Sequence, residues 1–234
     1  MNLTQARAYY RDLRPCNLGS PKYRHLLLLS FWPIFGVIFW TLEIAWPSIW
    51  EALTGKSLIY FAIEVPLDAY IPFCEWFIIP YYFWFAYLVG MMLYGLFFDT
   101  LTFRRFMWFV ILSYSVTALI YLLFPNMQAL RPVEFPRDNL LTAIVRRLYD
   151  FDTNTNVCPS IHVLGTFAVS LAGWHAKGLQ SMGWRLFFLI STLLISSSTV
   201  FLKQHSIVDV AVALVLCALC YPAVFEGICH EGGK

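Results

Sequence analysis

Charge is what this sequence has least of. Only 13% of its 234 residues are Asp, Glu, Lys or Arg, while 59% are hydrophobic. A soluble domain of that length needs more polar surface, so the chain reads as an integral membrane protein. No basic stripe gathers the cations, which argues against nucleic acid as a partner. None of the six cysteines forms a C-x-x-C pair with histidine partners, so a structural zinc site is not expected. Cys217 and Cys220 stand three apart inside an apolar run and read as packing residues. The alternating segments of an outer-membrane barrel are missing, and so is any fixed-period repeat. Residues 1–25 carry five cations but no apolar core, so a cleavable leader is not expected.

Long apolar runs are abundant. Six stretches approach the ~20 residues that a membrane helix needs, at 26–46, 76–98, 106–124, 160–177, 185–203 and 206–226. Backbone polar groups must be satisfied internally in lipid, so each is expected to be a helix. The expectation is an all-α, six-span bundle forming a single domain over 1–234. Segment 47–75 mixes Pro, Glu and Asp with aromatics and reads as interfacial or re-entrant. Its Gly55-Lys56-Ser57 lacks the upstream glycine of a phosphate loop. Segment 125–159 is the other long polar stretch. Its Asp152, Asn154 and Asn156 alternate as in a calcium loop, but Val157 replaces the turn glycine. A solvated turn capping the fourth span is the expectation there.

Six spans place both termini on one side. That side carries Arg7, Arg11, Arg14, Lys22, Arg24, Arg104, Arg105, Lys177, Arg185 and Lys234; the other carries Lys56, Arg131, Arg137, Arg146, Arg147 and Lys203. The cation bias predicts cytoplasmic termini in a multi-pass protein of the cell membrane. Segment 1–25 is then cytoplasmic and 125–159 faces outward. His25, His175 and His230 fall on the terminal side and read as interfacial or solvated.

Three polar clusters converge on the outer side: Arg131-Pro132, then Pro159-Ser160-Ile161-His162, then residues 198–209. Ionisable residues at a span's edge are costly and point to function. Pro159 suits the first helical position. The free N–H groups that follow, with the Ser160 hydroxyl, make an anion site. His162 lies about one turn in, within reach of a proton transfer. His205 and Asp209 are four apart and share a face if the last helix starts near 205. A carboxylate on one imidazole nitrogen frees the other to attack. Arg131 and Lys203 supply positive charge for phosphoryl oxygens.

The order R-P, P-S-x-H and H-x-x-x-D resembles the type 2 phosphatidic acid phosphatase superfamily of six-span lipid phosphate phosphatases and phosphotransferases. The resemblance covers the span count and roughly residues 124–209. It implies His205 as a nucleophile forming a phosphohistidine, Asp209 as its orienting partner, and His162 as the acid and then the base. Arg131, Ser160 and Lys203 would be phosphate ligands, without metal or cofactor. The departures are specific. Phe124 occupies the family's lysine position, Ile161 its glycine and Thr199 its arginine. Lys203, one turn beyond Thr199, could present its ammonium on the same face. Gln128 is a neutral stand-in for the lysine and Arg137 a more distant cation. A less positive pocket suggests a less charged substrate, such as a phosphodiester; a changed geometry explains it equally well.

The expected activity is hydrolysis of a phospholipid or prenyl phosphate, taken as monoester or pyrophosphate from the bilayer. Transfer of a phospho-headgroup to an alcohol or ceramide-like acceptor is the alternative, and a non-catalytic lipid-binding membrane protein the third reading. Cys74 and Cys158 share the outer side, where a disulfide is permitted. Oligomeric state is left open.

Overall fold

The computed structural model describes residues 3–228; His230 and Lys234 lie outside the described residues. The protein is an all-α membrane bundle. Short α1 (Leu3–Tyr9) precedes a long run, Arg24–Thr54, that contains α2 (Phe31–Trp40) and α3 (Trp46–Thr54). Then come α4 (Ile78–Phe98), α5 (Thr100–Leu123), α6 (Leu140–Phe151), α7 (Ile161–His175), α8 (Met182–Phe201) and α9 (Ile207–Tyr221). Among the described residues, five runs are long and apolar enough to cross a membrane: Arg24–Thr54, Glu75–Phe98, Thr100–Leu123, Met182–Phe201 and Ile207–Ile228.

The expected fourth span, α7, is the exception. Its 15 residues rise only about 22 Å. It packs against α4, α5, α8 and α9, and ten of its residues are buried, so it is lined by protein rather than lipid. Gly173 lets the Phe188 ring lie directly against α7.

Two boundaries differ from expectation, each for a local reason. The first run continues to Thr54, well past residue 46, because Pro47 falls in the first turn of α3, where its missing N–H costs nothing. A π-helical stretch, Thr41–Ala45, joins α2 to α3 and brings Glu43 into the protein, 8% exposed. The third span starts at Thr100, because Asp99 caps it by accepting from the Leu101 and Thr102 N–H groups. Arg104 and Arg105 therefore lie inside α5 and not in a loop.

Segment 125–159 folds over one end of the bundle. It contains the amphipathic α6, whose Val145 and Leu148 are buried. A two-residue strand β2 (Asn126–Met127) pairs in parallel with β1 (Phe61–Ala62), tying the interfacial segment to the end of α5. The Phe61 and Phe124 rings stack at 4.4 Å beside this pair. Residues 152–156 are not the solvated turn expected. Glu43 accepts from the Thr153 and Thr155 hydroxyls, the Asn154 side chain donates to the Gln128 carbonyl at 2.7 Å, and Asn156 is 5% exposed. Three side chains that could have faced water are spent on internal bonds. Cys74 and Cys158 are both free.

Candidate active site

The residues around His205 set its geometry. Ser206 caps α9, and its own N–H donates to Asp209 Oδ2 at 3.0 Å. This is a reciprocal capping box. The same Oδ2 lies 3.0 Å from His205 Nδ1. His205 therefore precedes the helix, and the pair meets through the cap rather than along a helical face as expected. The His205 and Gln204 N–H groups both donate to the Thr199 carbonyl at 3.0 Å, folding the 202–206 turn back on α8. Lys203 sits in the left-handed region at φ 53°, which is uncommon for a residue with a side chain.

His162 approaches from α7. The cap is Ser160, and Pro159 precedes it, so proline does not occupy the first helical position as expected. The Ser160 hydroxyl is turned inward to accept from the Val163 N–H at 3.5 Å. The His162 ring packs 4.4 Å from both Tyr81 and Trp84. Gly165, one turn on, makes this possible: a Cβ there would lie 2.6 Å from the Tyr114 hydroxyl and 3.0 Å from Trp84. The His162 Nδ1 is buried without a partner among the described residues.

The two imidazole centroids are 6.0 Å apart, at 62°. Both rings line one cavity of about 570 Å³. The cavity runs from a polar end, with Asp152, Asn156, Gln204 and the histidines, along an aromatic wall from α2, α4 and α5. Ile161 lines it too, and its carbonyl accepts from the Tyr114 hydroxyl at 3.1 Å. A volume of this size, mostly apolar with a few convergent polar groups, has the character of a ligand pocket.

The other expected phosphate ligands sit one layer behind. Arg131 donates to the carbonyls of Tyr149, Asp152 and Thr153 and to Gln204 Oε1 at 2.6–3.0 Å. Its guanidinium lies 4.7 Å over the Tyr149 ring. Lys203 does not present its ammonium beside Thr199. The left-handed turn sends it away, and Nζ donates to the Asp68 carbonyl at 2.7 Å. Burial lowers the Lys203 pKa, and Asp68 partly opposes the shift. Gln128 donates to the Lys203 and Gln204 carbonyls at 3.0 and 3.2 Å, so its amide braces the turn. Arg137 pairs with Glu75 at 3.1 Å. None of these four side chains lines the cavity.

Four contributors were not anticipated. Gln204 lines the cavity with an Nε2 that has no protein partner, and Arg131 fixes the orientation of that amide. Asp152 puts a carboxylate at the polar end; burial raises its pKa, while His205 and Arg131 pull it down. Asp68, 1% exposed, accepts from the Ser206 hydroxyl at 2.7 Å and the Ile207 N–H at 2.9 Å. It clamps the start of α9 from segment 47–75. Glu43 pins the turn that carries Asp152. Gln204 was the most legible, standing directly before His205. The other three are brought in from distant segments.

A competing nucleophile can be set aside. The Cys158 thiol is pushed up to about 12 by burial and by the neighbouring Asp209, so it holds no thiolate near neutral pH. Among the described residues no group of three His, Cys, Asp or Glu could hold a metal ion. Comparison with known proteins adds no assignment: no family model, curated protein or solved structure matches the chain significantly.

Proposed function

We propose that this membrane protein transfers a phosphoryl group from a lipid through a phosphohistidine. The observation that carries the reading is the imidazole pair: two rings from different helices, 6.0 Å apart, on one cavity, with Asp209 holding Nδ1 of one of them. His205 Nε2 attacks phosphorus while the bond to the lipid oxygen breaks. His162 delivers a proton to that leaving oxygen. Asp209 keeps the proton on Nδ1 and stabilises the imidazolium that forms. In the second half, His162 takes the proton from the acceptor as it attacks phosphorus and the P–N bond breaks. The Gln204 amide is placed to donate to a phosphoryl oxygen. The aromatic wall suits an acyl or prenyl chain.

Water as acceptor makes the protein a lipid phosphatase; an alcohol makes it a phosphotransferase. One observation bears on the donor, whichever acceptor is used. The residues lining the cavity include the Asp152 carboxylate but no lysine or arginine. A dianionic monoester gains little there and is repelled by Asp152, whereas a phosphodiester carries one negative charge fewer. With the cation bias, the histidine end faces away from the cytoplasm.

Purified protein with labelled lipids decides between these. Release of inorganic phosphate marks hydrolysis, and a new phosphodiester marks transfer. An acid-labile phosphoenzyme that disappears in His205→Ala is expected in both. Absence of turnover and phosphoenzyme with every lipid phosphate and phosphodiester overturns the reading and leaves lipid binding alone.

A further inference from the structure

The opposite end of the bundle holds a second polar cavity, of about 330 Å³, where the first and third spans begin and the last ends. Lys22, Arg24 and Arg104 line it, with Thr100, Trp108 and Leu28. Thr100, Arg104 and Trp108 recur every four residues and so share one face of α5. Arg24 and Leu28 have the same spacing on the facing run. The wall therefore passes from hydroxyl and guanidinium at the membrane's edge to indole and isobutyl deeper in. A phospholipid has that order, with phosphate outside and acyl chain inside.

No carboxylate among the described residues forms an ion pair with Lys22, Arg24 or Arg104, and Asp12 attracts Lys22 only from beyond ion-pair distance. Asp99, next to the cavity in sequence, is committed to capping α5. Lys22 Nζ is held 4.9 and 4.8 Å over the Tyr9 and Tyr23 rings, which fixes a cation at the rim. Two guanidiniums and an ammonium around one cavity make its mouth positive and favour an anion there, while water screens the exposed Lys22 and Arg24. The contrast with the histidine end is complete, since that cavity has no lining cation.

We propose that this cavity binds the phosphate headgroup of an anionic phospholipid in the leaflet on the side of the chain termini. The site is separate from the imidazole pair and does not rest on catalysis: α5 lines it with Thr100, Arg104 and Trp108, and lines the histidine cavity with Tyr114 and Tyr121. Two guanidiniums outside any ion pair among the described residues, with Lys22 at the rim, select negative charge. The polar-to-apolar wall selects a lipid over a free anion.

Native mass spectrometry of the full chain in detergent tests this, with phosphatidylglycerol and phosphatidylcholine of matched chains as probes. Retention of phosphatidylglycerol over phosphatidylcholine is expected. Each removed cation should cost roughly 5-fold, so Arg24→Gln with Arg104→Gln should lose roughly 25-fold. Arg24→Lys with Arg104→Lys should keep most of the preference and controls for folding. Inorganic phosphate at equal concentration should not displace the lipid. Equal retention of the two lipids overturns the proposal, as does preference unchanged in the glutamine variant. Displacement by inorganic phosphate also overturns it, making this a free-anion site.

Discussion

The two ends of the bundle treat histidine in opposite ways. At the terminal end, His175 has Nδ1 at 2.9 Å from the Leu171 carbonyl and Nε2 at 3.1 Å from the Tyr221 hydroxyl. His25 Nε2 is 3.0 Å from the Tyr10 hydroxyl. These rings are neither solvated nor free; they are structural members with ordinary partners. At the other end, His205 has one nitrogen on a carboxylate, His162 has one nitrogen buried without a partner, and both rings face a cavity. Burial alone does not separate the two kinds, since His25 is 6% exposed and His162 8%. What separates them is whether a ring nitrogen remains for a ligand.

The largest test of that contrast is His205→Ala, expected to lower turnover by roughly 10⁴- to 10⁶-fold in a lipid phosphate assay. Asp209→Asn refines it. One oxygen, Oδ2, faces both His205 and the Ser206 N–H, and asparagine can still supply an oxygen there. Loss of charge alone should cost roughly 10²- to 10⁴-fold with the melting temperature little changed; a large drop in melting temperature would make Asp209 a structural residue instead.

His162→Gln should reduce turnover about 10²- to 10⁴-fold for a lipid alcohol leaving group. An activated ester such as a nitrophenyl phosphodiester should restore much of it, because that leaving group departs without a proton. Equal losses on both substrates would remove His162 from the proton-transfer role.

Asp152 sharpens the comparison through pH. Burial raises its pKa, so it is neutralised before an ordinary carboxylate as pH falls. Turnover of a phosphomonoester relative to a phosphodiester should therefore rise toward acid pH. Asp152→Asn should raise that ratio by roughly tenfold at neutral pH and flatten its pH dependence. An unchanged ratio would show that Asp152 does not sense substrate charge. The smallest effect belongs to the other end. His175→Gln should leave turnover within about twofold and stability within about 1 kcal/mol, read from kinetics and a thermal melt.

Five of the six expected spans were legible because lipid leaves the backbone one solution, the helix, and apolar length marks it. The histidine motifs were legible because their chemistry is local: Ser206, Asp209 and His205 lie within five positions and close one capping box. Lys203 misled, because helical spacing was carried across a turn that reverses the chain at φ 53°. Arg131 and Gln128 were found by position, but their bonds run to residues 149–153 and 203–204, which spacing along the chain does not connect.

The sequence by itself determined a helical membrane bundle and the identities of two histidines and an aspartate at the ends of its helices. Periodicity, apolar length and short-range capping are properties of consecutive residues. Only the tertiary structure decided that the two rings share a cavity, that Lys203 turns away, and that Glu43 and Asp68 hold the turns beside them. The contacts of Lys203, Glu43 and Asp68 join side chains to partners more than a hundred residues away, and the two rings come from different segments of the chain. Such meetings are settled by how the helices pack, because a buried polar group takes whichever partner the packing brings within reach.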